Sequence, residues 1–198
     1  MKIAILTGIP GVGKTTILEK IKSLSRDRGY RIEIVNFGDY MLKEAISRGL
    51  VKDRDEIRKL TLRTQQELQS LASKSIVNRA NELENYDSII VDTHSVVMTP
   101  TGYWPGLPKH VIEILRPHVI FLIEASPNEI ISRQQRDNTR RRQDYSSLEV
   151  VREVMEFARS FAVASATLVG ASVKIILNRE GQAEQASLEV LKVLEAIG

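Results

Sequence analysis

Gly8-Ile9-Pro10-Gly11-Val12-Gly13-Lys14-Thr15 places three glycines, a lysine and a hydroxyl in the spacing G-x-x-x-x-G-K-[ST], with Thr16 next. This is the pattern of a loop that holds a nucleoside triphosphate. Glycine accepts the backbone turns that aim successive N–H groups at one polyphosphate. The N-terminus of a following helix adds partial positive charge. Lys14 can then reach the β- and γ-phosphates, and the Thr15 hydroxyl can ligate Mg²⁺. Such a loop needs a strand before it and a helix after it. The run Ile3-Ala4-Ile5-Leu6 supplies the first, and Ile17, Leu18, Ile21 and Leu24 at helical spacing supply the second.

Two further groups of residues extend the chemistry. Ser88-Ile89-Ile90-Val91-Asp92 is an apolar strand closing in a carboxylate, the Walker B pattern, and Asp92 is expected to hold Mg²⁺ through water beside Thr15. Arg133, Arg136, Arg140, Arg141 and Arg142 crowd one stretch, and the planar guanidinium grips phosphate oxygens bidentately. The segment from about 136 to 146 lies between two helical patterns and reads as a short lid. Arg136 and Arg140, four apart, can share a helix face, and Arg142 extends beyond it. Such a lid would exclude water and spread the charge of a moving phosphoryl group.

What is missing narrows the reaction. Asn178-Arg179-Glu180-Gly181 follows the last strand and is not an Asn-Lys-x-Asp guanine reader. No catalytic glutamate of the kind motors use stands beside Asp92. The residues alone therefore favour a kinase. They leave open an acceptor such as UMP, CMP or a small metabolite, and an RNA- or ribosome-associated ATPase that lays Arg133–Arg142 on a phosphate backbone.

The elements that must carry these groups read as an α/β, doubly wound parallel sheet with helices on both faces. Strands are expected at Ile3–Leu6, Ile32–Val35, Ser88–Val91, Val119–Ile123 and Val173–Leu177. Helices are expected at Thr15–Asp27, Tyr40–Ser47, about Asp53 to Leu83, Lys109–Leu115, Asn128–Arg136, Ser147–Val169 and Gly181–Ile197. All five strand ends lead into polar residues, so one cleft at the carboxyl edge is expected. The second half of helix Ser147–Val169 is apolar nearly all round, which points to burial on several sides.

A chain of 198 residues is long enough for one full core, and one domain over 1–198 is expected. With no cysteine there is neither a disulfide framework nor a thiolate metal site. No stretch approaches the roughly 20 apolar residues of a membrane span. These features fit a cytoplasmic protein. A net charge of only +3 disfavours nucleic acid as a partner.

The chain resembles the archaeal-type adenylate kinases, a branch of the P-loop nucleoside monophosphate kinases. The likeness rests on Val91-Asp92-Thr93-His94 with the loop Thr99–Pro108, on Arg54–Leu60, and on Arg136-Asp137-Asn138-Thr139-Arg140. It implies Mg²⁺-dependent, in-line transfer between ATP and AMP, giving two ADP, and a homotrimer. By this likeness ATP is held by Gly8, Ile9, Pro10, Gly11, Val12, Gly13, Lys14, Thr15 and Thr16. Arg133 and Asn178 join them, the Asn178–Gly181 loop bordering adenine. Lys14, Arg136, Arg140 and Arg142 act on the moving phosphoryl group. The AMP region spans about 36–84. Ordinary bacterial and eukaryotic relatives carry Asp-Gly-Phe-Pro-Arg after the third strand, where this chain has Asp92-Thr93-His94. The arginine that holds the AMP phosphate must then come from elsewhere, and Arg54 and Arg58 are the candidates, with Gly38 and His94 nearby. His94 is expected to donate a hydrogen bond rather than act as a base, because AMP presents an already ionised phosphate.

Overall fold

The computed structural model describes residues 1–99, 101–136 and 147–197. Its centre is a five-stranded parallel sheet built from β1 (Lys2–Thr7), β2 (Ile32–Asn36), β3 (Ser88–Asp92), β6 (Val119–Glu124) and β7 (Ser172–Leu177). The spatial order is β2-β3-β1-β6-β7. Two short strands, β4 (Val96–Thr99) and β5 (Gly102–Pro105), form a separate antiparallel hairpin after β3. The Pro/Gly-rich composition of that stretch hid it, since such short strands carry little periodic signal. Gly106, just beyond, passes so close to the His94 carbonyl that a Cβ would collide with it.

The sheet residues alternate between two helical layers, as a period of two requires. Ala4 and Leu6 face a core with Ile17, Ile21, Val190 and Leu191, whereas Ile5 faces one with Ile76, Ile112 and Ala162. The first layer is α1 (Lys14–Asp27) and α8 (Ala183–Ala196). The second holds α4 (Leu62–Glu82), α5 (Lys109–Leu115) and α7 (Leu148–Val169). Parallel register keeps the strand ends flush: Leu6 lies between Asp92 and Phe121, and Asn36 pairs with Asp92.

One helix departs from the periodic reading. The stretch from 53 to 83 is not continuous but divides into α3 (Arg54–Ile57) and α4. Both pieces are capped: the Asp53 carboxylate accepts from Asp55 and Glu56 N–H, and the Thr61 hydroxyl oxygen accepts from Thr64 N–H. Two N-caps stop one helix because each offers the backbone a local alternative to the i→i−4 bond. With α2 (Phe37–Ser47), these helices enclose a small core of their own, Ala45, Val51, Ile57 and Leu68.

The apolar helix α7 is not covered all round. Val163 and Leu168 are 53% and 51% exposed, and on the edge strand β7 Ile175 and Leu177 are 44% and 53% exposed. Arg159 of α7 is bidentate to Glu124 at the end of β6, with both contacts at 2.6 Å. Among the described residues no helix is long and apolar enough to cross a membrane.

Candidate active site

The loop between β1 and α1 takes the shape its glycines permit. Gly11 and Gly13 have φ of +93° and +87°, the left-handed region that side chains rarely adopt. Gly13 is the N-cap of α1, and a Cβ there would stand 2.5 Å from the Asn178 amide nitrogen. Carbonyls of the loop are bound from outside. Gln134 Nε2 donates to Pro10 O at 2.9 Å, Asn178 Nδ2 to Val12 O at 2.7 Å, and Arg133 Nη1 to Val12 O at 3.3 Å. Holding carbonyls outward presents the intervening N–H groups to an anion, the arrangement of a phosphate nest.

Lys14, in the first turn of α1, reaches back across the loop. Its Nζ donates to Gly8 O at 3.0 Å and lies 3.5 Å from His94 Nδ1, which is itself 3.2 Å from Gly8 O. His94 thus sits against the triphosphate loop. Thr15 and Thr16 follow Lys14 on the exposed first turn of the helix.

Asp92 closes β3 beside this loop. Its Oδ2 accepts from Asn36 Nδ2 at 2.9 Å, while Oδ1 is buried with no hydrogen-bond partner among the described residues. Burial pushes the Asp92 carboxyl above the usual range; Lys14, the Asn36 bond and Arg54 pull the other way. A buried carboxylate oxygen without a donor among the described residues fits a hard cation that keeps its own waters. Among the described residues no group of three acidic, histidine or cysteine side chains forms a complete cage.

Arg54 lies across Gly38. Its guanidinium occupies the space that a Cβ on Gly38 would need, and it contacts Asp39 Oδ1 and Asn36 Oδ1, both at 3.3 Å. Arg58 is the exposed C-cap of α3. The two arginines do not stand on the one long helix expected from about Asp53 to Leu83, because α3 ends at Ile57. Phe37 is buried in the core with Val35 and Ala72 rather than lining the cleft.

Helix α6 (Pro127–Arg136) supplies the remaining side chains. Arg133 is largely buried and bridges Val12 O, Asn178 O and the carboxylates of Glu129 and Glu180. Arg136, at the end of α6, lies 3.5 Å from Glu180 Oε1 and donates to Ser132 Oγ at 2.7 Å. Asn178 is 4% exposed, and its Oδ1 lacks a partner among the described residues. Arg140 and Arg142 fall outside the described residues. Gln134, Asn36, Glu129 and Glu180 were not singled out by the sequence reading. Gln134, Asn36 and Glu180 act through partners distant in the chain, so no local spacing marks them, whereas Glu129 carries a local signal in its Ser-x-x-Glu spacing from Ser126.

The model of the AAA domain family matches residues 7–152. An adenylate kinase of Saccharolobus solfataricus is 53% identical over 98% of this chain and 100% of its own length. Adenylate kinases of Methanopyrus kandleri and Methanocaldococcus jannaschii are 45% and 42% identical, each over 98% of this chain and 98% of the relative. In fold, the chain is similar to an unliganded crystal structure of a sugar kinase from Janibacter sp. HTCC2649. The TM-score is 0.54 at 15% identity, over 100% of this chain and 96% of that one.

Proposed function

The chain belongs to the adenylate kinase family, and from that premise we propose how its residues move a phosphoryl group between ATP and AMP. The reaction is ATP + AMP = 2 ADP, in line and without a covalent intermediate. The phosphate of AMP is already ionised, so the protein needs no base; it has to position two polyanions and neutralise the charge between them.

The observation that carries the reading is the flush row of strand ends. The triphosphate loop follows β1, Asp92 ends β3, and Asn36 leads into Gly38 after β2, on three neighbouring strands. A donor site on the loop therefore adjoins an acceptor site at Gly38 and Arg54. Backbone N–H groups within residues 8–16, all but Pro10 carrying one, hold the triphosphate. Lys14 exchanges the Gly8 carbonyl for the β- and γ-phosphates. Asn178 and Arg133 brace the loop and border the nucleoside. Arg54 receives the AMP phosphate, with Arg58 and His94 completing that side. Arg136, with Arg140 and Arg142 of the lid segment 136–146, balances the charge of the moving group. Thr15 directly and Asp92 through water would hold Mg²⁺, which when bound neutralises the β- and γ-phosphate oxygens.

The acceptor region, about 36–84, and the lid act as parts of one domain spanning 1–198, and the enzyme works in the cytoplasm. A homotrimer, expected from the resemblance, is supported by the exposed apolar residues of α7 and β7.

Lys14→Ala tests the assignment. Phosphoryl transfer to AMP, read by a coupled assay, should fall about 100- to 1,000-fold while the melting temperature is unchanged. Transfer near the parental rate would overturn it.

A further inference from the structure

Asn36 stands where the two substrate sites meet. The β2–β3 register sets it beside Asp92, and its Nδ2 donates to Asp92 Oδ2 at 2.9 Å. At the other end of the same amide, Oδ1 accepts from Arg54 Nη2 at 3.3 Å and from the Asp39 backbone N–H at 3.2 Å. We propose that Asn36 is a positioning residue that couples the acceptor-site arginine to the metal-site carboxylate through one rigid amide. The inference rests on the roles of Arg54 and Asp92 given above.

The chemistry of the amide makes the coupling directional. Turned by half a rotation, it would set its oxygen against Asp92 Oδ2 and its NH₂ against Arg54, facing acceptor with acceptor and donor with donor. Only one orientation satisfies both neighbours. That orientation engages Oδ2 of Asp92 and leaves Oδ1 buried and without a partner among the described residues. A phosphate that draws Arg54 away removes a charge-assisted bond from Asn36 Oδ1, weakening the polarisation of the Nδ2–H that holds Asp92. Loss of Asp92 in turn releases the amide that helps to aim Arg54. Asp39 N–H keeps the helix-cap contact in either case.

The test is calorimetric AMP binding in metal-free buffer, to the parental protein, Asp92→Ala, Asn36→Ser and the double variant. Serine keeps a capping oxygen for α2 but is too short to bridge both neighbours. A field effect of Asp92 acting through space would be the same in both backgrounds. The expected result is that Asp92→Ala shifts the AMP Kd about five-fold in the parental protein and less than about two-fold in Asn36→Ser. Equal shifts in the two backgrounds overturn the proposal. Arg54→Ala, titrated alongside, separates the two levels of inference. If it leaves the AMP Kd unchanged, the role of Arg54 fails and the coupling with it. If it weakens AMP while the Asp92→Ala shifts are equal, only the coupling fails. Thermal melting checks each variant, and Asp92→Ser replaces Asp92→Ala if the latter does not fold.

Discussion

Two glycines shape the site for opposite reasons. Gly13 is required by its backbone, at φ +87°, and by the Asn178 amide pressed against it. Gly38 is required by what lies on it, since the Arg54 guanidinium occupies the place of its missing side chain. Gly38→Ala must push Arg54 off its seat, away from Asn36 and Asp39. Losing one well-placed charge-assisted hydrogen bond raises the AMP KM about ten-fold. The KM for ATP, whose loop is on another strand, should stay within about two-fold. Steady-state titration of each nucleotide at saturation of the other checks this, and an unchanged AMP KM would count against Arg54. The P-loop glycines were legible from spacing. Gly38 could be placed in the acceptor region but not explained, because Arg54 meets it only when α3 folds back over α2.

Helix α6 shows how an element carries a site. Ser126 and Glu129 cap it reciprocally: Ser126 Oγ and N–H donate to Glu129 Oε2 at 2.6 and 3.0 Å, and Glu129 N–H donates to Ser126 Oγ at 3.3 Å. This is a capping box. Its bonds, those of Ser126 first, with the Glu180 N–H and Arg133, hold the Glu129 carboxyl below its ordinary value of 4.5, against a smaller desolvation penalty. A depressed carboxylate adds stability that is fully present above its unfolded pKa and is lost as pH falls through the folded one. Ser126→Ala should therefore cost about 1 kcal/mol near neutrality. It should cost less in acid, below the folded pKa, where Glu129 is protonated in both proteins and the cap bond from Glu129 N–H to Ser126 Oγ is what remains to be lost. Urea unfolding at the two pH values measures the difference; an equal cost at both would show that the charge of Glu129 plays no part. The start of α6 was legible from Ser126-Pro127. The break between α3 and α4 was not, because apolar residues spaced by three and four continued across it while the caps Asp53 and Thr61 supplied the stop.

Across the whole molecule, Glu124 and Arg159 tie the sheet to α7. The Glu124 side chain is 5% exposed and that of Arg159 is 51% exposed. Arg159→Ala leaves a buried carboxylate without its guanidinium. A fully buried pair broken this way loses roughly 3–5 kcal/mol. With one partner half in water the loss here should be nearer about 2 kcal/mol. Denaturant melts of Arg159→Ala and Arg159→Lys check it, with lysine recovering part of the charge but not the fork. A loss no larger than a surface pair gives would mean that Glu124 is solvated. The apolar residues left exposed on α7 and β7 bear on assembly. Sedimentation is expected to show a trimer, and Leu168→Lys with Leu177→Lys should shift it toward monomer; an unshifted trimer would place the contact elsewhere.

The donor half of this protein was written locally. Strand, glycine loop, lysine and helix are contiguous, and the Asp92 strand pattern lies within one run, so spacing alone identified the nucleotide-binding loop and the parallel α/β class and put Asp92 forward as the metal carboxylate. The acceptor half, and the bracing of the donor loop from outside, were decided in three dimensions. Arg54 on Gly38, Asn36 between Arg54 and Asp92, and Arg133, Gln134 and Asn178 around the loop carbonyls join residues separated by up to 166 positions. Hydrogen bonds of that range follow from strand register and helix packing, and those exist only once the sheet has formed.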